Sequence, residues 1–298
     1  MKEPKIKNAA ICFSGQLRTL ELCYPYIKKN LLDLLKSYDI FCFIEGDANP
    51  ERLKMLNPQA IKTVQSSDID HLIIKDLRQL RRNNYKKFIF PETPRFNFKN
   101  MFHQFYNIKG AFTLLREHMD KENISYRYFI RIRFDFLPIS EINPENFKMR
   151  ENEVIVPNYC GTRPENEIVD MFYITKDFDT FKTCSLIYDN FANLLKNGFV
   201  MKFSVLQKIY FFLERNYLYF LFAVFNKINP KSNKFLKQIL SILLFPPKLF
   251  FKDFKVKNET SSERILFYYL KSEKKVITEK KIDFIIVRNP GDGLLILG

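Results

Sequence analysis

The chain has 298 residues, of which 46% are hydrophobic, and it carries a formal net charge of +15. This length and apolar content exclude a disordered chain and provide for a substantial core in one large or two small domains. The five cysteines have no CxxC or metal-type spacing, and residues 1–5 lack the apolar run of a secretory signal. We therefore expect a reducing, cytoplasmic location without disulfides.

The first predicted elements are a strand, a turn and a helix. Residues 9–13 (AAICF) form a short apolar run that Ser14 and Gly15 interrupt, and apolar residues then recur at helical intervals from Leu20. Thr19 is the predicted N-cap of that helix. Such a turn presents backbone N–H groups and a positive helix end, which suit phosphate, and Arg18 adds a bidentate cation. One glycine is not a phosphate-loop fingerprint, so the turn by itself is weak support.

Alternating strands and helices continue to residue 64. Residues 40–44 predict a second strand that ends near Glu45, and residues 60–64 predict a third. This alternation favours a parallel sheet with covering helices. Asn100 is the predicted cap of a further helix, whose apolar stripe would pack in the core. The three histidines lie in sequence positions typical of ordinary helices or loops (His71, His103, His118).

The most informative segment is YRYFIRIRFDFLP, residues 126–138. Its apolar and aromatic residues predict a buried strand, and strand alternation would place Arg131, Arg133 and Asp135 on one face. Charges are rarely buried without partners, so two cations and one anion here indicate a site for a charged ligand at the end of a strand. The structural alternative is an Arg–Asp ion pair that closes the strand end. Further strands are predicted at residues 154–156 and 171–175, and a helix from 177 to 195.

Residues 199–257 differ in composition, with eleven Lys or Arg residues against Glu214 and Asp253. Tyr, Phe and Leu are interleaved with these charges, and the longest uncharged stretch has eleven residues (216–226). A membrane-spanning helix needs about 20 apolar residues, so this region is not one. It predicts either amphipathic helices on an anionic membrane surface or an insertion of core helices with basic outer faces.

Several segments, taken in order, resemble glycosyltransferases of bacterial surface-polysaccharide (capsule and lipopolysaccharide) clusters and of some large viruses. The matching motifs are ICFSGQLRT at 11–19, YDIFCFIEGD at 38–47, the RxRxD of Arg131, Arg133 and Asp135, DMFYI at 170–174, Glu263 at a helix start and Val287-Arg288 in a final strand. The resemblance covers residues 8–180 and 258–290. It implies a GT-A-like, mostly parallel twisted sheet with helices on both faces.

The resemblance also implies domains and roles. Residues 1–198 would form the nucleotide-sugar-binding α/β core, residues 199–257 a helical basic and aromatic insertion, and residues 258–298 a helix and strand that complete the core. A nucleotide-sugar donor would meet Ser14, Gly15, Gln16, Arg18, Arg131 and Arg133, with Asp170, Glu263 and Asp135 as the catalytic candidates. The expected acceptor is a glycan or a lipid-linked glycan, at an anionic membrane on the inner face of the plasma membrane.

Metal use stays open at this point. Many GT-A enzymes hold Mn²⁺ or Mg²⁺ with an Asp-x-Asp pair, whereas this chain has Arg-x-Arg-x-Asp, so Asp135 would be the ligand if a divalent metal binds.

Two rival functions also stay open. The basic aromatic region would suit a nucleic-acid-binding protein, although no nucleic-acid motif is present and no nucleic-acid partner is expected. The chain could alternatively be a membrane-attached scaffold with an inactive transferase fold.

Overall fold

The structure, a computed structural model, describes residues 4–46, 50–72, 75, 98–158, 168–190 and 262–287. Nine strands, six α-helices and three short 3-10 helices are assigned within these ranges, and residues 187–190 are also helical. The strands are β1 (Lys5–Gly15), β2 (Tyr38–Glu45), β3 (Ala60–Val64), β4 (Ile124–Ile132), β5 (Phe136–Pro138), β6 (Glu153–Pro157), β7 (Phe172–Thr175), β8 (Val276–Lys280) and β9 (Phe284–Ile286). The helices are α1 (Leu20–Asn30), α2 (Pro50–Leu53), α3 (66–72), α4 (Phe98–Glu122), α5 (Phe178–Ser185) and α6 (Ser262–Ser272).

Seven strands form one mostly parallel sheet in the order β3-β2-β1-β4-β7-β6-β8. The pairs β1–β2, β2–β3, β1–β4 and β6–β8 are parallel, and β7 runs antiparallel to both β4 and β6. The α/β class and the mostly parallel sheet predicted from the sequence are thus confirmed. A second sheet pairs β5 with β9 antiparallel.

Both faces of the sheet are covered, because successive residues of β1 point to opposite sides. Ile11 and Phe13 join a core cluster with Leu20 and Ile27 of α1. The other face packs in a second cluster against α4, α5 and α6 (Ala10, Cys12, Phe105, Phe112, Phe181, Leu266). Burial on both faces explains why these strands read as nearly continuous apolar runs rather than as alternating patterns.

The four described cysteines are free and buried in these clusters (Cys12, Cys23, Cys42, Cys184). No helix among the described residues is long and apolar enough to cross a bilayer. The predicted insertion at residues 199–257 lies outside the described residues. Of the predicted C-terminal unit, α6 packs on the second core cluster and β8 extends the large sheet beside β6.

Candidate functional site

A polar cleft of about 270 Å³ opens where β1, β2 and β4 end. Ligands of open α/β sheets bind at this carboxyl-terminal edge. The cleft is lined by Ser14, Gly15, Gln16, Arg18, Glu45, Asn100, His103, Gln104, Asn107, Arg131, Arg133, Phe134 and Asp135. Seven of the nine site residues predicted from the sequence therefore lie around one cavity: the four of the first turn, Arg131, Arg133 and Asp135.

The turn after β1 supplies one wall of the cleft. Gly15 has φ +119°, a conformation that side-chain-bearing residues rarely adopt, and this allows the chain to turn sharply at the strand end. Ser14 is buried, and its hydroxyl has no hydrogen-bond partner among the described residues. The exposed side chains of Gln16 and Arg18 face each other, with Arg18 Nε donating to Gln16 Oε1 at 2.8 Å.

Arg52, in the last turn of α2, holds this turn from outside the cleft. Its Nη2 donates to the backbone carbonyl oxygens of Leu17 at 2.7 Å and Arg18 at 3.3 Å. The same guanidinium forms a bidentate ion pair with the Glu21 carboxylate. Sequence reasoning missed Arg52, because nothing local marks an arginine as the partner of main-chain groups 34 and 35 residues away.

The second wall differs from the sequence prediction in one respect. The prediction of one strand that runs through Asp135 is wrong, because β4 ends at Ile132 and residues 134–135 form a turn. Phe136 N donates to Arg133 O at 3.2 Å across this turn, and Arg133 N bonds to Met171 O at 3.1 Å. The turn, rather than strand alternation, thus brings Arg133 and Asp135 to the cleft.

Arg133 and Asp135 form the ion pair that the structural alternative foresaw. Arg133 Nη2 donates to Asp135 Oδ2 at 2.5 Å, whereas the buried Oδ1 of Asp135 has no partner among the described residues. One oxygen of this carboxylate is therefore paired, and the other can still accept a hydrogen bond from a ligand.

Arg131 is the most unusual residue of the cleft, because its guanidinium is 1% exposed yet forms no ion pair with a described carboxylate. Its Nη1 donates to the backbone carbonyl of Asp170, and its Nε has no hydrogen-bond partner among the described residues. Burial lowers the pKa of Arg131 to about 10, and the more distant charge of Asp170 opposes this only in part. A buried cation without an ion-pair partner costs free energy unless a ligand supplies the anion.

The third wall is one face of α4, formed by residues at helical spacing (Asn100, His103, Gln104, Asn107). Sequence reasoning assigned His103 to an ordinary helix or loop position, and this residue does lie in α4, but its buried contacts were not foreseen. His103 is 6% exposed and contacts two carboxylates that lie 58 and 33 residues away in sequence.

These contacts centre on Glu45 at the end of β2. Glu45 Oε1 lies 2.7 Å from both His103 Nδ1 and Ser66 Oγ, Glu45 Oε2 accepts from Asn107 Nδ2 at 2.6 Å, and His103 Nε2 lies 2.8 Å from Asp70 Oδ1. Burial alone would raise the pKa of Glu45, but the hydrogen bonds and the His103 charge outweigh it and lower this pKa to about 2. Burial likewise opposes protonation of His103, yet its two carboxylate partners raise its pKa. An ionised Glu45 beside an imidazolium fits both shifts.

The C-terminal segment connects the first and second walls. Val287 N donates to Asp135 O at 3.0 Å, and Val287 O accepts a hydrogen bond from the Thr19 hydroxyl. Thr19 therefore precedes α1 as predicted, but its side chain forms no cap hydrogen bond because it bonds to Val287 instead. The backbone of Val287 fixes the β1–α1 turn relative to the Asp135 turn.

Buried polar atoms without a partner are concentrated around the cleft. Nine such side-chain atoms occur among the described residues, and five belong to residues that line it (Ser14, Gln104, Asn107, Arg131, Asp135). Buried polar groups in folded proteins are nearly always hydrogen-bonded. Their clustering at one cavity is typical of a site that a polar ligand completes.

The remaining predicted residues lie elsewhere. Asp170 is 2% exposed and is not part of the cleft lining, although its carbonyl holds Arg131 from behind. Glu263 lies in the first turn of α6, with its side chain outside the described residues. Within the described ranges there is no group of three or more His, Cys, Asp or Glu residues that would hold a metal ion.

Comparison with models of protein families gives a match. The family model described as "Domain of unknown function (DUF7796)" matches residues 4–163, more than half of the chain, and no curated protein matches. All residues that line the cleft fall within the matched range. The chain belongs to the DUF7796 family.

Proposed function

We propose that this protein is a glycosyltransferase that moves a sugar from a nucleotide-sugar donor to a glycan or lipid-linked acceptor. The observation that carries the proposal is the buried Arg131 guanidinium, which lines a cleft at the carboxyl-terminal edge of the sheet and has no described carboxylate within ion-pair distance. A nucleoside diphosphate would supply the missing negative charge. The mostly parallel sheet, with its single antiparallel strand β7, supports the GT-A-like fold that the sequence resemblance implies.

The walls of the cleft suit different parts of such a donor. Arg18, Arg131 and Arg133 would contact the diphosphate and stabilise the charge that develops as it leaves. The Ser14 hydroxyl and the backbone at Gly15 would approach the nucleotide, assisted by the Gln16 amide. The unpaired oxygen of Asp135 would accept a hydrogen bond from a ribose or sugar hydroxyl.

In the transfer step the acceptor oxygen bonds to the anomeric carbon, and the bond from that carbon to the diphosphate breaks. The leaving diphosphate takes the bonding electrons, so fixed cations near it lower the barrier. A carboxylate near the acceptor takes the hydroxyl proton. Asp170 and Glu263 are the two candidates for this role; Asp170 is not part of the described cleft lining, and the Glu263 side chain lies outside the described residues.

The proposal extends to the membrane. We place the protein in the cytoplasm, on the inner face of the plasma membrane, because lipid-linked acceptors lie there. The attachment is assigned to residues 199–257, whose basic and aromatic composition suits an anionic surface.

Binding and turnover assays test the function directly. We expect one class of nucleoside diphosphate, and its nucleotide-sugars, to raise the melting temperature, since a ligand at about 100 times its Kd stabilises the folded state by about 2.7 kcal/mol. The same nucleotide-sugar should release nucleoside diphosphate on incubation. If uridine, guanosine, cytidine, adenosine and thymidine derivatives all fail to bind, the proposal is wrong. Binding without release in the presence of a range of glycan acceptors would instead favour an inactive scaffold.

A further inference from the structure

The carboxylates of the cleft are already engaged by cationic and neutral donors. Asp135 would be the metal ligand if a divalent cation bound, but its Oδ2 accepts a hydrogen bond from Arg133 Nη2 at 2.5 Å. A divalent cation on that oxygen would have to displace the guanidinium. A cation on Oδ1 would lie beside the same guanidinium and be repelled by it.

Glu45 is no better placed to bind a cation. One of its oxygens lies 2.7 Å from Ser66 Oγ and His103 Nδ1, and the other accepts from Asn107 at 2.6 Å. The proton on His103 that faces Glu45 also places positive charge on the side a metal would approach. Among the described residues Glu45 thus has donors on both oxygens, and the one unpaired oxygen of Asp135 lies beside a guanidinium, whereas Mg²⁺ or Mn²⁺ would need several free oxygen ligands.

The positive charge that a metal would supply is present on the protein. Arg18, Arg131 and Arg133 line one cleft, and the buried Arg131 has no described carboxylate to neutralise it. Guanidinium groups bind phosphate oxygens bidentately and stay charged at any physiological pH. Arg131 is also held in place by its hydrogen bond to the Asp170 carbonyl, so its orientation is fixed before a ligand arrives.

We infer that this cleft binds the diphosphate of its ligand without a divalent cation, with the guanidinium groups of Arg131 and Arg133 in the place of the metal. The inference rests on the proposed function, because it specifies how a nucleoside diphosphate is held. Arg133 has a dual part: its Nη2 stays paired with Asp135, and its other N–H groups donate to the phosphate.

Calorimetric titration of the full-length protein tests this without any turnover. The panel of nucleoside diphosphates is titrated once in EDTA and once with Mn²⁺ or Mg²⁺ in excess, and the two Kd values are compared. We expect them to agree within about threefold, a small difference on a scale where tenfold is 1.4 kcal/mol. Electron paramagnetic resonance of the Mn²⁺ sample should show the spectrum of Mn²⁺ bound to free nucleotide or water alone.

The Asp135→Asn variant sharpens the comparison. A metal held by Asp135 would be lost in this variant, and the ratio of the two Kd values would fall toward one. Without a metal the ratio is near one in both the wild type and the variant, whatever the absolute affinity. Asp33→Asn, at an exposed ion pair with Lys28, is the matched control.

Each outcome decides between the alternatives. Binding that is at least about tenfold tighter with Mn²⁺ or Mg²⁺, and that loses this gain in Asp135→Asn, overturns the inference but leaves the proposed function intact. The same gain without a change in Asp135→Asn also overturns it and places the metal on other residues. If no nucleoside diphosphate binds in either buffer, the proposed function and the inference both fail.

Discussion

Arg131 contacts Asp170 through a hydrogen bond to the main-chain carbonyl rather than through an ion pair. Arg131 Nη1 donates to the backbone carbonyl of Asp170, while Asp170 Oδ2 is buried without a partner among the described residues. The Asp170 carbonyl therefore orients the guanidinium of Arg131, and the positive charge of Arg131 stays available to the cleft.

Replacement of Arg131 by methionine should separate binding from stability. The lost hydrogen bond costs about 1 kcal/mol, but removal of a buried cation without an ion-pair partner offsets it, so the free energy of unfolding should change by no more than about 1 kcal/mol. The Kd for the nucleoside diphosphate should rise at least about tenfold. Urea unfolding and calorimetry measure the two quantities.

Arg127→Met is the matched control, because Arg127 lies on the same strand, is exposed and does not line the cleft. It should leave both quantities unchanged. A strongly destabilised Arg131→Met protein would show instead that Arg131 is a structural residue.

The pair of His103 and Glu45 should make stability depend on pH in two windows. The pKa of His103 is raised above its ordinary value of 6.5. Its contribution to the free energy of unfolding is therefore complete below pH 6.5 and is lost as pH rises through the folded-state pKa. The pKa of Glu45 is lowered from 4.5 to about 2, so its contribution is complete above 4.5 and is lost as pH falls toward 2. Urea unfolding at a series of pH values should show both losses.

His103→Gln should abolish the loss above pH 6.5, and His71→Gln, at an exposed position of α3, should not. Parallel curves for the wild type and His103→Gln above that pH would contradict the assignment.

The sheet was largely predictable because its central strands, such as β1 and β2, are nearly continuous runs of buried residues. The third strand was predicted at residues 60–64 and is found at Ala60–Val64. The second was predicted at residues 40–44, and β2 is longer, by two residues at its start and one at its end. The predicted helix from 177 begins with Asp177 as its cap, where the carboxylate accepts from Thr180 N at 2.7 Å, but α5 itself ends at Ser185. Apolar runs and capping residues are local signals, and both are readable without a fold.

The α4 wall was not predictable in the same way. His103 and Asn107 read as the polar side of a surface helix, since their partner Glu45 is 58 and 62 residues away. Strand alternation was predicted to place Arg133 and Asp135 on one face. The two residues do lie together, but a turn after Ile132 brings them there. Only the fold shows which polar residues from distant segments share one cavity.

Gly110 of α4 should resist replacement despite its position inside a helix. A Cβ there would lie 2.3 Å from two ring carbons of Phe43, whose ring is buried between α4 and the sheet. Gly110→Ala gains about 1 kcal/mol of helix propensity, but overpacking costs about 1–3 kcal/mol, so we expect a net loss of up to about 2 kcal/mol by urea unfolding. The loss should shrink when the exchange is made in a Phe43→Leu background. A more stable Gly110→Ala protein would contradict the close packing.

Residues 199–257 should bind anionic membranes reversibly. Each Lys or Arg near such a surface contributes about 1 kcal/mol, and salt screens this attraction over a Debye length of about 8–10 Å. Sedimentation with liposomes should show binding to anionic vesicles, little binding to neutral ones and release at high salt. Equal failure to bind both kinds of vesicle would argue for an insertion of ordinary core helices. The region lies outside the described residues, so this prediction is based on composition alone.

Arg52 should act on the ligand through the turn that it holds. Arg52→Gln removes the hydrogen bonds to the Leu17 and Arg18 carbonyls and the ion pair with Glu21, all at a partly exposed position. Exposed ion pairs contribute about 0–1 kcal/mol, so the melting temperature of the free protein should fall only slightly. Release of the turn should let Arg18 and Gln16 move, and the Kd for the nucleoside diphosphate should rise about three- to tenfold, up to about 1.4 kcal/mol. Lys54→Gln, which removes an exposed ion pair with Glu51 nearby, is the control and should leave Kd unchanged. If Arg52→Gln and Lys54→Gln behave alike in both Kd and melting temperature, the turn does not depend on Arg52 for its position.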